Sequence, residues 1–315
     1  MQNELAIGID IGGTNSVIGL VDKHGKCIAT NRFSTSDYPD VNDYVEELCN
    51  RSKNLFLSHP SDDFTKQIKG IGIGAPNGNH YRGTIEYAPN LAWKGIIPLA
   101  KMVSDKLHVP VQLTNDAKAA AIGEMIFGGA KGMKNFIEIT IGTGLGSGII
   151  ANGELIYGHD GLAGELGHTI AIRNGRPCGC GRNGCLESYV SKRGIIQTYN
   201  DFRIAMNELT IEDITPPQIV ELARNGDKTA IKTYDETGRI LGQFFADAVC
   251  FLEPEAIFIF GGIAQAGYLL FNPTKQYMES NMHHIYKGKV KILPSSLPDD
   301  EAAILGAAAM IWKMI

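Results

Sequence analysis

The pattern of apolar residues opens with three short segments separated by turn residues. Leu5–Ile11, Val17–Val21 and Lys26–Phe33 predict the strands of an antiparallel meander. The turn between the first two reads Asp10-Ile-Gly-Gly-Thr14. Because glycines leave the backbone uncovered, the N–H groups of such a turn can face an anion such as phosphate. A tight hairpin turn without any ligand fits the same residues.

Apolar positions at helical spacing then alternate with buried apolar runs as far as residue 127. The predicted elements are helices Asp40–Leu57, Pro98–Leu107 and Ala117–Phe127, strands Ile68–Gly74 and Val111–Thr114, and an irregular loop over Gly78–Trp93. Asn115 and Asp116 precede the last of these helices. They fit a helix N-cap, and they equally fit the strand end at which open α/β sheets place ligand groups.

The second half of the chain repeats this plan. Its predicted strands are Asn135–Ile141, Leu145–Ala151, Ala256–Phe260 and Val290–Leu293, and its predicted helices are Pro216–Arg224, Lys228–Leu252, Asn272–His284 and Glu301–Ile315. A second glycine loop, Ile141-Gly-Thr-Gly-Leu-Gly-Ser-Gly148, lies between the first two strands. One phosphate-type loop in each half predicts two domains that close on a nucleotide triphosphate.

Composition narrows the class of protein. The 315 residues are 44% hydrophobic and 20% charged, which is ordinary for a soluble globular protein. A formal charge of −5, without any Lys/Arg run, argues against nucleic-acid binding. The longest apolar run, Ala302–Trp312, is too short to span a membrane, and no signal peptide is evident. Three of the six cysteines fall within eight residues, which favours a metal site in a cytoplasmic protein over a disulfide framework.

Five segments together resemble the ROK family (repressors, uncharacterised frames, sugar kinases) of the actin/hexokinase superfamily, over essentially the whole chain. They are Ile7-Gly-Ile-Asp10-Ile-Gly-Gly-Thr14, Asn115-Asp116-Ala, Ile141–Gly148, Gly164-Glu-Leu-Gly-His168 and Cys178-Gly-Cys-Gly-Arg-Asn-Gly-Cys185-Leu-Glu187. The Glu-X-X-His segment followed by Cys-X-Cys-X4-Cys-X-Glu is the most specific of these markers. The first phosphate motif begins at residue 7, so we expect no DNA-binding arm of the repressor branch and assign the chain to the kinase branch.

The resemblance implies an α/β fold, namely a two-domain actin-like ATPase (ribonuclease H-like) fold with a nucleotide and sugar cleft between the domains. We expect residues 1–116 and 302–315 to form a small N-terminal domain and residues 117–301 a large one. By the same resemblance the protein is a homo-oligomer, either a dimer or a tetramer. Its expected partners are ATP and a hexose, without nucleic acid or membrane.

The resemblance also assigns roles, beginning with Asp116 as the general base that activates a sugar hydroxyl. The expected sugar ligands are Asn77, Asn90, Asn115, Asp116, Glu165, His168 and Glu187. The expected ATP and Mg²⁺ residues are Asp10, Gly12, Gly13, Thr14, Gly142, Thr143, Gly144, Gly261 and Gly262, with Asp10 holding Mg²⁺. By themselves, Glu165 and Glu187 would be read as solvated surface charges, and it is the metal-type residues flanking them that favour a ligand role.

Thiolates and an imidazole are the ligands that suit a tetrahedral Zn²⁺ site with no open position. We expect His168, Cys178, Cys180 and Cys185 to form such a site, with a structural role. The expected activity is an ATP-dependent hexose kinase, with glucose and its 6-hydroxyl as the leading substrate. N-acetylglucosamine, N-acetylmannosamine and fructose remain open as substrates, and a sugar-sensing regulator without catalysis is the alternative from another class.

Overall fold

The computed structural model describes residues 4–57 and 64–315. In chain order the strands are β1 Leu5–Ile11, β2 Asn15–Asp22, β3 Cys27–Ser34, β4 Ile68–Ala75, β5 Gly78–Asn79, β6 Thr84–Glu86, β7 Ile96–Ile97, β8 Val111–Asn115, β9 Phe136–Ile141, β10 Leu145–Ala151, β11 Glu154–Leu155, β12 Ala256–Phe260 and β13 Lys291–Pro294. The helices are α1 Val41–Leu57, α2 Phe64–Gln67, α3 Leu99–Leu107, α4 Asp116–Ile126, α5 Glu187–Val190, α6 Lys192–Ala205, α7 Pro216–Arg224, α8 Lys228–Leu252, α9 Tyr268–Asn281 and α10 Ala302–Met314. Short 3₁₀ segments occupy Leu166–His168, Ala264–Ala266 and His284–Tyr286.

Packing divides the chain into two compact units. The first consists of Met1–Met133, Leu155–Ala163 and Ser296–Ile315, and the second of Lys134–Glu154 and Gly164–Ser295. This division groups residues 117–133, 155–163 and 296–301 with the N-terminal part of the chain, whereas the sequence-based boundaries group them with the C-terminal part. The assignment of functional domains stays a prediction.

The two large sheets share one strand plan, as the repeated sequence pattern predicts. Their strand orders are β3-β2-β1-β4-β8 and β11-β10-β9-β12-β13. In the first sheet, β1 pairs antiparallel with β2 and parallel with β4. In the second sheet, β9 pairs antiparallel with β10 and parallel with β12. The last strand in each order then adds parallel to its neighbour. The carboxyl ends of the parallel strands therefore meet at one edge of each sheet.

Helix α10 packs directly on the first sheet because glycines and alanines face each other there. A Cβ on Gly72 of β4 would lie 1.8 Å from the Ala307 carbonyl oxygen, and one on Gly8 of β1 would lie 2.1 Å from the Ile304 carbonyl oxygen. Any larger residue at either glycine would push the helix off the sheet. Glycine at these two strand positions is thus a requirement for packing α10 on the sheet.

Three parts of the predicted secondary structure need correction. The predicted loop Gly78–Trp93 is not wholly irregular, since it contains the short strands β5 and β6, which form a small antiparallel sheet with β7. Helix α9 begins at Tyr268, ahead of the predicted start, and contains Pro273 in its interior. Pro273 packs against Gly238 of α8, where an added Cβ would lie 2.7 Å from the proline ring, so tertiary packing holds this helix through the proline. Helices α2, α5 and α6 were not predicted.

Candidate active site and metal centre

The first glycine turn is tightly closed and has Asn90 beside it. The Gly12 amide donates a hydrogen bond to the Asn15 carbonyl oxygen across 2.9 Å. A Cβ on Gly13 would lie only 2.5 Å from the Asn90 carbonyl oxygen, so the backbone of Asn90 rests on this glycine. Thr14 is exposed at the end of the turn. The structure therefore brings together Asn90 and the predicted phosphate turn.

Asp10 is the half-buried residue of β1 and precedes Ile11, the last residue of the strand before this turn. Burial and, to a lesser degree, the negative charge of Asp116 together raise the pKa of its carboxyl group to about 6, while Arg32 opposes the rise. A buried carboxyl group whose ionisation is opposed by a second carboxylate is a ligand that a divalent cation would favour in its charged form. The residues present thus fit a Mg²⁺ site at Asp10.

Asn115 and Asp116 stand at the junction of β8 and α4, where each serves the helix start. The Asn115 Oδ1 atom accepts from the amides of Ala117 and Lys118, at 3.1 and 3.3 Å, which is an N-cap. The Asp116 Oδ1 atom accepts from the Ala117 amide across 2.8 Å. Because Oδ1 of Asn115 is committed to the cap, this side chain can offer a ligand chiefly its N–H donors.

The carboxyl group of Asp116 is accessible to solvent on one side and packed against protein on the other. The residue is exposed, yet loss of hydration on its protein-facing side raises its pKa, against the lowering effect of hydrogen bonds from Ala117 and Asn115. The exposed face is the one that a substrate could contact. A carboxyl group whose pKa is shifted toward neutrality is a better proton acceptor once ionised.

Asn77 lies in the same unit and is exposed, with a left-handed backbone at φ 51°. Its Nδ2 atom donates to the carbonyl oxygens of Glu86 at 3.0 Å and Tyr87 at 3.4 Å. The side-chain N–H donors of Asn77 therefore bind the end of β6 and are used within the protein. Any sugar contact of this side chain falls to its oxygen.

In the second unit, the predicted phosphate loop Gly142–Ser147 comprises the turn Gly142–Gly144 between β9 and β10 and the start of β10, and the turn lies beside Gly261–Gly262 after β12. The Gly142 amide donates to the Gly144 carbonyl oxygen across 3.0 Å, and Thr143 at the tip is exposed. A Cβ on Gly261 would lie 2.5 Å from the Ile141 carbonyl oxygen, and its φ is 100°. The two predicted nucleotide segments of this unit therefore require glycine where they meet.

The carboxylate of Glu187 links the second glycine loop to the cysteine cluster. Its Oε2 atom accepts from the Leu145 amide across 2.8 Å, and its Oε1 atom lies 3.8 Å from the Cys178 sulfur. A Cβ on Gly144 would lie 2.6 Å from Oε2, so glycine there makes room for the carboxylate. This placement rules out a purely solvated surface charge for Glu187.

The side chains of His168, Cys178, Cys180 and Cys185 converge, with one candidate ligand atom of each within 4.8 Å of the others. The sulfurs of Cys180 and Cys185 are 3.7 Å apart, and the Cys178 sulfur is 3.6 Å from Nδ1 of His168. A tetrahedral Zn²⁺ site with ordinary bond lengths has edges of about 3.8 Å between sulfurs and about 3.5 Å between sulfur and nitrogen. The four residues fit a zinc ion, and Nδ1 is the nitrogen that faces it.

Glu165 and His168 bracket the 3₁₀ segment Leu166–His168. The His168 amide donates to the Glu165 carbonyl oxygen across 3.1 Å, and the Glu165 side chain is exposed. The hydroxyl of Ser147 donates to the Gly164 carbonyl oxygen and accepts from the Leu166 amide. The second glycine loop thus also holds the segment that carries Glu165 and His168.

Sequence reasoning missed a strap formed by residues 155–163, which pack with the first unit. The buried ammonium of Lys118 donates to the Gly161 carbonyl oxygen across 2.7 Å, and Nδ2 of Asn79 donates to the Asp160 carbonyl oxygen across 2.7 Å. The rings of His80 and Tyr157 stack with their centroids 4.1 Å apart. One signal was available, because Lys118 is the only cation in the apolar run that follows Asp116.

Among residues 4–57 and 64–315, no helix has both the length and the apolar character needed to cross a membrane.

Comparison with known proteins identifies the fold and then the family. A ROK family glucokinase from Streptomyces griseus, crystallised with glucose and AMPPNP, matches with a TM-score of 0.79 and 32% identity over 97% of this chain and 98% of that chain. The fold is thus the mixed α/β fold of actin-like ATPases, as predicted. The profile of the ROK family matches residues 6–314, and the chain belongs to that family.

Two curated relatives represent different branches. A glucokinase of Streptomyces coelicolor is 34% identical over 316 residues, which cover 96% of each chain. The xylose repressor of Bacillus subtilis is 28% identical over 308 residues, which cover 97% of this chain and 76% of the repressor. The family therefore includes both kinases and regulators at this level of similarity.

Proposed function

We propose that this protein is a sugar kinase that transfers the γ-phosphate of ATP to the 6-hydroxyl of glucose, with Asp116 as general base. A sugar kinase is supported by the family match and by the glucokinase that aligns along nearly its whole length. Glucose is supported by that relative's name and by the Streptomyces griseus glucokinase, which was crystallised with glucose and AMPPNP.

The observation that carries the proposal is the setting of Asp116. Its carboxyl group starts α4, keeps an exposed face, and lies in the same unit as Asp10 and the first glycine turn. Ionised Asp116 would accept the proton of the sugar hydroxyl while the hydroxyl oxygen bonds to the γ-phosphorus and the bond from phosphorus to ADP breaks. The products are a sugar phosphate, ADP and a protonated carboxyl group that releases its proton to water.

The other residues would bind and orient the substrates. The turn amides of Gly13, Thr14, Thr143 and Gly144 are suited to phosphates, and Gly261–Gly262 to the adenosine side. The amides of Gly12 and Gly142 already donate within their own turns, so these two glycines would contribute shape and not a donor. Asp10 would hold Mg²⁺, which neutralises phosphate charge when bound. Asn90, Asn115, Glu165, His168 and Glu187 would contact the sugar, with Asn77 contributing its oxygen.

The cysteine cluster would hold zinc in a structural role. Four protein ligands leave no position for substrate, so the chemistry that the ion supplies is cross-linking of the loop. With Nδ1 of His168 facing the cluster, Nε2 is left to donate to a sugar hydroxyl. Burial raises the pKa of Cys185 to about 12, so this thiol needs a cation nearby to ionise.

Substrate and class alternatives are separable by experiment. N-acetylglucosamine, N-acetylmannosamine and fructose could use the same carboxylates. The match to the xylose repressor favours, as a second candidate, a regulator that binds sugar without phosphorylating it. As part of the proposal we also expect a homo-oligomer located in the cytoplasm.

The test is a panel assay of ADP release with ATP, Mg²⁺ and each of glucose, fructose, the two N-acetylhexosamines and xylose. Phosphorus NMR then identifies which hydroxyl of the sugar carries the phosphate. The proposal expects glucose to be the best substrate, with phosphate on its 6-hydroxyl, and expects no turnover of xylose, which lacks that carbon. Sugar binding detected by calorimetry without turnover of any sugar would overturn it in favour of the regulator.

A further inference from the structure

The guanidinium group of Arg176 joins three parts of the second unit, two residues before the first cysteine of the cluster. Its Nη1 atom donates to the Gly194 carbonyl oxygen and the Thr198 hydroxyl, each at 3.0 Å, and to the Ser188 carbonyl oxygen at 3.4 Å. Its Nη2 atom pairs with the Asp201 carboxylate at 2.7 Å. Ser188 belongs to α5, and the other three belong to α6.

The same residue is also fixed through its backbone and its flat face. The Arg176 amide donates to the Tyr189 hydroxyl across 2.7 Å, and the guanidinium carbon lies 4.8 Å from the centre of the Tyr189 ring. The Arg176 carbonyl oxygen accepts from the Gly184 amide across 2.7 Å, directly before Cys185. Only 15% of the Arg176 side chain is exposed.

These contacts use the particular shape of arginine. A planar group with five donors can reach several acceptors at once while stacking on an aromatic ring, and the compact ammonium of lysine cannot. The partners Ser188 and Tyr189 follow Glu187 directly in the helical turn α5. None of the contacts involves a ligand atom of the metal cluster.

We propose that Arg176 is a positioning residue for Glu187, and that it fastens the turn carrying this carboxylate to α6 independently of the metal. Loops at structural metal sites commonly order only when the metal binds. Here the ion and the arginine are two separate attachments, one on each side of Glu187. The effect on sugar binding rests on the proposed function, whereas the effect on the order of α5 does not.

The test compares Arg176→Met with Arg173→Met, which removes the same charge at an exposed position five residues before Cys178. Zinc content, Michaelis constants and hydrogen exchange of the peptide spanning residues 186–191 are measured on the zinc-loaded full chain. We expect Arg176→Met to keep its zinc, to raise the KM for sugar about tenfold with the KM for ATP unchanged, and to lose protection in that peptide. Arg173→Met should match the wild type in all three.

Two further variants keep the proposal testable if Arg176→Met does not fold. Asp201→Asn removes only the ion pair, and Arg176→Lys keeps the charge but not the fork, so each should give a smaller change in the same direction. Unchanged exchange in the 186–191 peptide would overturn the proposal, as would zinc loss in proportion to the loss of sugar binding. If wild type phosphorylates no sugar, the proposed function fails, and the exchange measurement alone still decides the role of Arg176.

Discussion

The carboxylate of Glu187 accepts a hydrogen bond from the Leu145 amide across 2.8 Å, although the two residues are 42 positions apart. Leu145 lies in the second glycine loop as the first residue of β10, and Glu187 ends the cysteine segment. The predicted nucleotide loop and the predicted sugar ligand are therefore in direct contact. A substitution in the loop should therefore alter the position of the Glu187 carboxylate, and a substitution of Glu187 should alter the loop.

The pair Gly144→Ala and Gly142→Ala separates these two roles. An added Cβ at Gly144 would meet Glu187 Oε2 at 2.6 Å and displace it from the Leu145 amide, whereas Gly142 has open space around its Cβ position. We expect Gly144→Ala to raise the KM for sugar about tenfold, the equivalent of about one lost hydrogen bond. Gly142→Ala should instead raise the KM for ATP, because its methyl group faces the expected phosphates. Equal effects of both variants on both constants would contradict this division.

Cys180→Ser tests the structural role of the predicted zinc site. Losing one of four ligands should release the ion and disorder the loop that ends at Glu187, so sugar affinity should fall while ATP affinity stays close to that of the wild type. Calorimetric titrations with sugar and nucleotide, together with metal analysis, measure this. Cys250→Ser is the control, since Cys250 is exposed on α8 and outside the cluster. Complete zinc loss with intact sugar affinity would show that the ion does not shape the site.

Asp10→Asn should lower the kinase activity and raise the free energy of unfolding. The pKa of Asp10 is raised from 3.8 to about 6 in the folded chain, so its protonated form is favoured by folding and this contribution is lost as the pH rises through 6. Without nucleotide or divalent cation, the substitution should raise the free energy of unfolding at pH 8 by up to about 3 kcal/mol and at pH 4 by little. Activity should be largely abolished because the expected Mg²⁺ ligand is gone.

Urea unfolding at the two pH values measures the effect of Asp10→Asn. Asp37→Asn, at an exposed carboxylate of the same unit, serves as the matched control for the loss of one negative charge. A gain for Asp10→Asn that is equal at pH 4 and pH 8 would contradict the account.

Lys118→Met tests the strap of residues 155–163. The loss of the bond to the Gly161 carbonyl oxygen and the relief of a buried charge should nearly offset each other, so the melting temperature should change little. Local order should fall all the same, and we expect faster hydrogen exchange in residues 157–163 and a higher KM for sugar, since Glu165 follows two residues after the strap. Lys101→Met, on the exposed face of α3, should leave both unchanged. Unaltered exchange in Lys118→Met would refute the anchoring role.

Elements whose signals are local could be predicted from the sequence. The spans of β1, β10, α7, α8 and β12 match the predicted ones, because periodicity and turn residues are sufficient there. The repeated strand plan of the two sheets followed from the two glycine turns. The cysteine cluster also followed, since its chemistry depends on residue type and short spacing.

What escaped prediction depends on tertiary contacts. Pro273 lies inside α9 because Gly238 of α8 accommodates its ring, which no local rule indicates. Asn115 reads equally as a cap and as a ligand, and only the geometry shows that its oxygen is used by the cap. Arg176 is one basic residue among several in its segment, and its importance appears only from its partners on α5 and α6.

The most direct test of the central claim is the turnover of glucose and ATP by Asp116→Asn beside the wild type. Asparagine keeps the size and the acceptor oxygen but cannot take the proton, so we expect kcat to fall by about 10²–10⁴-fold with sugar affinity retained. The rate of ADP release by the mutant should fall to or near the background rate, while calorimetry still detects glucose binding. Equal turnover by Asp116→Asn and the wild type would contradict the assignment of Asp116 as the base.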